Sequence, residues 1–103
     1  MNKFIFHQML NTTLGFRECS QLIKIAKQTN CKIYLLANNK EGTTDSILSL
    51  IQLNVHNSYI VFTVEGEKAI ECVKLLHELF EEGWSASVNH MADASLRQKI
   101  FSK

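Results

Sequence analysis

Hydrophobic and polar positions along the chain change period several times, and each change marks an element. Lys3 to Gln8 alternates with Phe4 and Phe6 on one face, the pattern of a half-buried strand. Between Phe16 and Gln28 the apolar residues Cys19, Leu22, Ile23 and Ala26 recur at offsets of three and four, which puts them on one face of a helix. Thr29-Asn30 stops that helix, since both are poor helix formers and Asn accepts a left-handed cap. Alternation returns over Lys32 to Ala37, with Ile33 and Leu35 in phase. Asn38-Asn39 then reads as a type I′ hairpin turn, and Lys40 to Thr43 as the returning strand, short and weakened by Gly42. Asp45-Ser46 precedes Ile47, Leu48, Leu50, Ile51 and Leu53, a short helix with a capping residue in front. After Asn57-Ser58, Tyr59 to Glu65 is a strand with Ile60, Phe62 and Val64 facing in. The longest helix is expected from Glu67 to Glu82, on a stripe of Ala69, Cys72, Val73, Leu76, Leu79 and Phe80, and Gly83 caps it.

The resulting order is βαββαβα. Elements with one apolar face each require two layers, so the expectation is an α+β domain with three helices on one face of a four-stranded antiparallel sheet. At 103 residues and 46% hydrophobic content, the chain has enough apolar side chains for one modest core. The net charge of +1, with acids and bases interspersed, argues against direct nucleic-acid binding and against a basic membrane face. No apolar run is long enough to span a bilayer and no signal-peptide pattern opens the chain, so a cytoplasmic location is expected. Cys19, Cys31 and Cys72 are odd in number and widely spaced, which suits a reducing compartment better than a disulfide framework. They match no zinc spacing, and neither a metal nor another cofactor is expected.

Chemistry concentrates in Asn11–Lys27, a polar loop that feeds directly into the first helix. Thr12 and Thr13 offer hydroxyls, and Gly15 is free to take positive φ, so the loop can turn sharply into the helix. Free N–H groups at such a helix start, beside Arg17, make a place for an anion. The segment has no His, no Ser-His pair and no carboxylate pair, so no catalytic residue and no enzyme activity are expected there. Elsewhere His7, His56, His77 and His90 have no Cys, Asp or Glu at metal-binding spacing. Cys19, close to the helix start, stands between a lowered thiol pKa and burial on the apolar stripe, and the stripe favours burial.

With these residues in view, the chain resembles the histidine-containing phosphocarrier (HPr) family of the bacterial sugar phosphotransferase system. Leu14–Arg17 falls on that family's active-centre loop, Asn30-Cys-Lys-Ile-Tyr-Leu35 on its second strand, and Asn38-Asn39 on its Asn-Gly hairpin. Asp45-Ser-Ile-Leu48 falls on its Lys-Ser-Ile-Met regulatory segment, and Val64-Glu-Gly66 on its fourth strand and turn. The resemblance covers roughly residues 1–83 and implies the family's open-faced β-sandwich. Read without gaps, it sets Gly15 where the family carries its phosphorylated histidine, and Glu18 where a proline follows the loop arginine. Arg17 is kept as a candidate for phosphate or a partner, with Glu18 and Glu41 as its internal alternatives. Ser46 falls on the serine that a dedicated kinase phosphorylates in Gram-positive members, whose product binds a catabolite-control transcription regulator; plain helix capping also accounts for the residue. Leu48 and Ile51 stand where the family exposes methionines to partners.

Two readings of different class follow. One is a regulatory, protein-binding module of carbon catabolite control without histidine phosphotransfer, acting through Arg17, Ser46, Leu48 and Ile51. The other is a phosphocarrier that uses a different residue, His7 or His77; a diverged domain with an unrelated partner is a third possibility. Residues 84–103 lie beyond the family pattern as an extension expected to be helical or partly disordered. Asp93 would open a last helix carrying Ala94, Leu96, Ile100 and Phe101, covered by the domain or by a second copy in a homodimer.

Overall fold

In the computed structural model, residues 2–84 are described as β1 (Asn2–Thr13), α1 (Phe16–Thr29), β2 (Lys32–Ala37), β3 (Lys40–Thr43), α2 (Ile47–Ile51), β4 (His56–Gly66) and α3 (Ala69–Glu81). The strands form one sheet in the order β1-β4-β2-β3, with every neighbouring pair antiparallel. This is the expected βαββαβα open-faced sandwich. The helix expected from Asp93, and with it the proposed dimer contact, lies outside the described residues.

Alternation decides which face of the sheet receives the helices. Ile60, Phe62 and Val64 of β4 are fully buried, as are Ile33 and Leu35 of β2 beside them in register. The helices return Cys19, Leu22, Ile25 and Ala26 from α1, and Ala69, Cys72, Leu76 and Leu79 from α3. Ile25 was not on the expected α1 stripe, whereas Ile23, which was, is only partly buried; the buried face is rotated slightly from the one the spacing selects. Phe6 stacks on Phe62 with ring centroids 5.2 Å apart, and Phe80 covers Phe62 at 5.3 Å. Trp84 then packs on Phe80 at 5.5 Å.

Two strands are longer than their patterns indicate. β1 runs on to Thr13 because its partner β4 starts at His56: the ladder continues from Leu10↔Ser58 through a bulge to Thr13↔His56. The turns match the sequence closely. Asn38 and Asn39 take φ of 53° and 62°, both positive as a type I′ turn requires. Asn30 caps α1 at φ 53°, with the Cys31 N–H donating to the Ala26 carbonyl at 2.9 Å. Gly83, at φ 67°, follows the last turn of α3, and the Trp84 N–H reaches back to the Leu79 carbonyl at 3.0 Å. Gly42 is needed for proximity: a Cβ there would lie 2.7 Å from the Ser49 carbonyl oxygen, so only glycine lets β3 pass against the α2 backbone.

Cys19 and Cys72 sit inside this core. Burial pushes the Cys19 thiol from 9.0 up to about 11, with Glu18 adding to the effect, and pushes the Cys72 thiol up to about 12. Burial, and not activation by the helix start, decides the state of Cys19.

Phe62→Ala should cost about 3–5 kcal/mol in urea unfolding, whereas Leu48→Ala, on the surface, should stay within about 0.5 kcal/mol. The raised thiols set a second expectation. The unfolded chain releases these protons first, so their contribution is complete below pH 9 and is lost as pH rises toward 11 to 12. The urea midpoint should therefore fall on the alkaline side, and it should do so less in a Cys19→Ala variant.

Candidate functional site

The candidate site begins where β1 ends. The Leu14 N–H donates to the Val55 carbonyl at 3.1 Å, and the Leu14 side chain is buried, so the loop is fastened to β4 one residue ahead of Gly15. Gly15 is the N-cap of α1, with φ −91° and ψ −168°. That is extended backbone open to any residue, so the positive φ available to glycine is not used; a bulge between Leu10 and Thr13 bends the strand just ahead of it. A Cβ at Gly15 would meet only the Glu18 Oε1 atom, at 3.3 Å.

Glu18 occupies the helix start. Its Oε1 accepts from the Gly15 N–H at 3.1 Å, and its Oε2 lies 3.4 Å from Arg17 Nη2. The carboxylate thus takes the position by the positive dipole end that an external anion would want. Arg17 also donates from Nη1 to the Trp84 carbonyl at 3.0 Å, and Gln21 Nε2 donates to the same oxygen at 3.0 Å. The arginine fork is therefore engaged from within the chain on two sides, although more than half of its side chain remains exposed.

Ser46 opens α2. Its Oγ accepts from the Ser49 N–H at 3.3 Å, the expected cap, and the residue is exposed. Ser49 strengthens the turn: its hydroxyl donates to the Ser46 carbonyl at 2.7 Å and accepts from the Thr43 N–H at 2.9 Å. Asp45 points to Lys32, 3.2 Å away, and this hydrogen bond raises the Lys32 pKa above its ordinary value. Leu48 is 73% exposed, but Ile51 is half-buried and packs on the core beside Leu50, so the two do not form an evenly exposed pair. A second exposed apolar residue is one that the periodicity did not single out. Phe16, at the start of α1, is 67% exposed, and α1 and α2 pack together. Its signal in the sequence was a large aromatic off the apolar stripe, directly after Gly15.

The histidines separate clearly. His7 pairs with Val61 in mid-strand, and His77 sets its ring edge-on to Phe6 at 5.1 Å. His90 is outside the described residues. Among the described histidines only His56 is brought to the loop: its Nδ1 is 2.7 Å from Thr13 Oγ1, and the Asn57 amide nitrogen is 3.3 Å from its Nε2. Reading along the chain placed it beside a turn and gave no sign of this cross-strand pairing. Among the described residues no three His, Cys, Asp or Glu side chains cluster to hold a metal, and no helix is long and apolar enough to cross a membrane. An open cleft of about 480 Å³ lies at the opposite end of α1, lined by Lys27, Asn30, Cys31 and Tyr34 among others, and includes neither Arg17 nor Ser46.

A family model described as the PTS HPr component phosphorylation site matches residues 10–82. The fold is similar to that of HPr-C-His from Thermoanaerobacter tengcongensis, with a TM-score of 0.64 and 21% identity over 86% of this chain and 97% of that one. It is likewise similar to the phosphocarrier protein HPr from Bacillus anthracis str. Ames, with a TM-score of 0.62 and 23% identity over 74% of this chain and 94% of that one. No curated protein matches the sequence.

Because Gly15 has an ordinary backbone and a Cβ there would crowd only the end of the Glu18 side chain, at 3.3 Å, Gly15→His should fold with a stability change within about 1 kcal/mol once that carboxylate shifts, as read from the urea midpoint. A collapse of the fold would show that the glycine is structurally required.

Proposed function

This chain belongs to the HPr family of the phosphotransferase system, and from that membership we propose that it is a regulatory, protein-binding member that does not pass phosphate through its active-centre loop. The observation that carries the reading is the pairing at the helix start. Position 15 has no side chain to accept a phosphoryl group, and the Glu18 carboxylate already lies against its N–H. An incoming phosphoryl group would meet negative charge there in place of a nucleophile.

On this reading the module acts by contact, in the cytoplasm, with no cofactor and no catalysis of its own. Phe16 and Leu48 supply exposed apolar area in the first turns of α1 and α2, two helices that pack together, with Arg17 next to Phe16 in sequence and Ile51 half-buried one turn after Leu48. Ser46 is the control point. Its hydroxyl is exposed and not locked into the core, and a phosphate there would retain the Ser49 N–H as a donor. By resemblance to the family, the partners are a serine kinase and a transcription regulator that reads the phosphorylated form.

A second reading, a phosphocarrier using another histidine, draws support from one observation only. His7 and His77 are the poorer candidates, while His56 sits across from Thr13, two residues from Gly15.

With the family's serine kinase and ATP, intact mass should show a gain of one phosphoryl group that is absent in Ser46→Ala, and an unmodified chain would remove Ser46 as the control point. With phosphoenolpyruvate and the general phosphotransferase enzymes, no acid-labile gain is expected. A gain that disappears in His56→Ala would replace the first reading with the second.

A further inference from the structure

Two of the three cysteines meet at the end of α1 remote from Gly15 and Arg17. Cys31 follows the Asn30 cap and lines the open cleft of about 480 Å³, a size that admits a small molecule. It is half-buried, and its Sγ lies 3.4 Å from the Thr29 carbonyl oxygen. Its neighbours fix the position. The Cys31 N–H is held by the Ala26 carbonyl at 2.9 Å. A Cβ at residue 66 would come within 2.7 Å of the sulfur, so the glycine that ends β4 leaves room for it.

Cys72, one turn into α3, reaches the same point from inside the core and is fully buried. Its thiol interacts directly with the Thr29 hydroxyl and with the Cys31 thiol. Thr29 is buried as well, and its hydroxyl donates to the Ile25 carbonyl at 2.8 Å, so both sulfurs pack against one fixed residue. Cys19 is elsewhere: it is buried against the Leu14 carbonyl, with about 15 Å of helix between it and Thr29. The chain therefore presents one reachable thiol, a second directly behind it, and a third remote from both.

We infer that Cys31 and Cys72 are a redox pair, in which Cys31 exchanges with a low-molecular-weight disulfide of the glutathione type and Cys72 then closes an intramolecular disulfide. Cys31 attacks as the thiolate; the S–S bond of the small disulfide breaks, and the first small thiolate released takes up the proton that Cys31 gave up. Cys72 next attacks the Cys31 sulfur and expels the second small thiol, which leaves with the Cys72 proton. Two thiols of the chain lose two electrons, and one small disulfide is reduced to two thiols. Burial keeps Cys72 protonated and away from reagents, while contact with Cys31 supplies the local concentration that closure needs. In a reducing compartment such a bond is transient and sensing, not a framework. The pair uses neither Arg17 nor Ser46, so it stands if the regulatory reading fails.

The test is incubation of the folded full chain with excess glutathione disulfide, followed by intact mass and peptide mapping. The expected product has lost two hydrogens, carries a Cys31–Cys72 link, keeps Cys19 as a free thiol and returns to three free thiols with dithiothreitol. Cys72→Ser should stop with one glutathionyl group on Cys31, and Cys31→Ser, matched to the parent by circular dichroism, should stay unmodified. On the unaltered chain, a stable glutathione adduct overturns the inference, as do an unmodified product, a link through Cys19 and a disulfide between two copies. Those outcomes hold even where a variant folds poorly.

Discussion

The register between β1 and β4 is the constraint on which the other features rest. β4 is flanked by β1 and β2, and its alternation sends Ile60, Phe62 and Val64 to the helices. A slip of one residue would turn that set outward and bury Tyr59, Val61 and Thr63 in its place. The same register determines what meets at the far end of the strands. By pairing Thr13 with His56 and tying Leu14 to Val55, it delivers the loop to the start of α1 at a defined angle. Site geometry is therefore a by-product of core packing, not a separately stabilised feature.

At that site the chain has filled its own anion position. A helix start offers N–H groups and a favourable dipole, and here a carboxylate three residues along takes both. The neighbouring guanidinium is drawn to the same carboxylate and to a backbone carbonyl at the end of the domain. Each bond is modest, but together they turn the loop inward. Facing solvent there are apolar surface from Phe16 and Leu48, the hydroxyl of Ser46 and part of the Arg17 guanidinium.

Most of the fold was legible in the sequence because its signals are local. Asn38-Asn39, Asn30 and Gly83 each state a backbone conformation within one or two residues, and the alternation of β4 states a face. The site was only half legible. Ser46 as a cap follows from its place before an apolar run, and Arg17 beside Glu18 follows from adjacency. His56 beside Thr13 does not, because forty-odd residues separate them and only the bulged ladder joins them. Gly15 misled in a different way: glycine permits a left-handed turn but does not require one, and the bend was made by a β-bulge upstream. Ile51 illustrates a third limit. In a helix as short as α2, spacing alone does not divide buried from exposed, and the sheet beneath decides.

Gly42 carries a consequence for where α2 presents its surface. A glycine there brings the β3 backbone into contact with that of α2, and Ser49 bonds to the Thr43 N–H across the same junction. A helix of five residues has little cohesion of its own. Held against a strand by that approach and by the Ser49 hydrogen bond, α2 takes its position from the β2–β3 hairpin. The place of Leu48 on the surface is therefore set by a glycine six residues earlier, in the edge strand of the sheet.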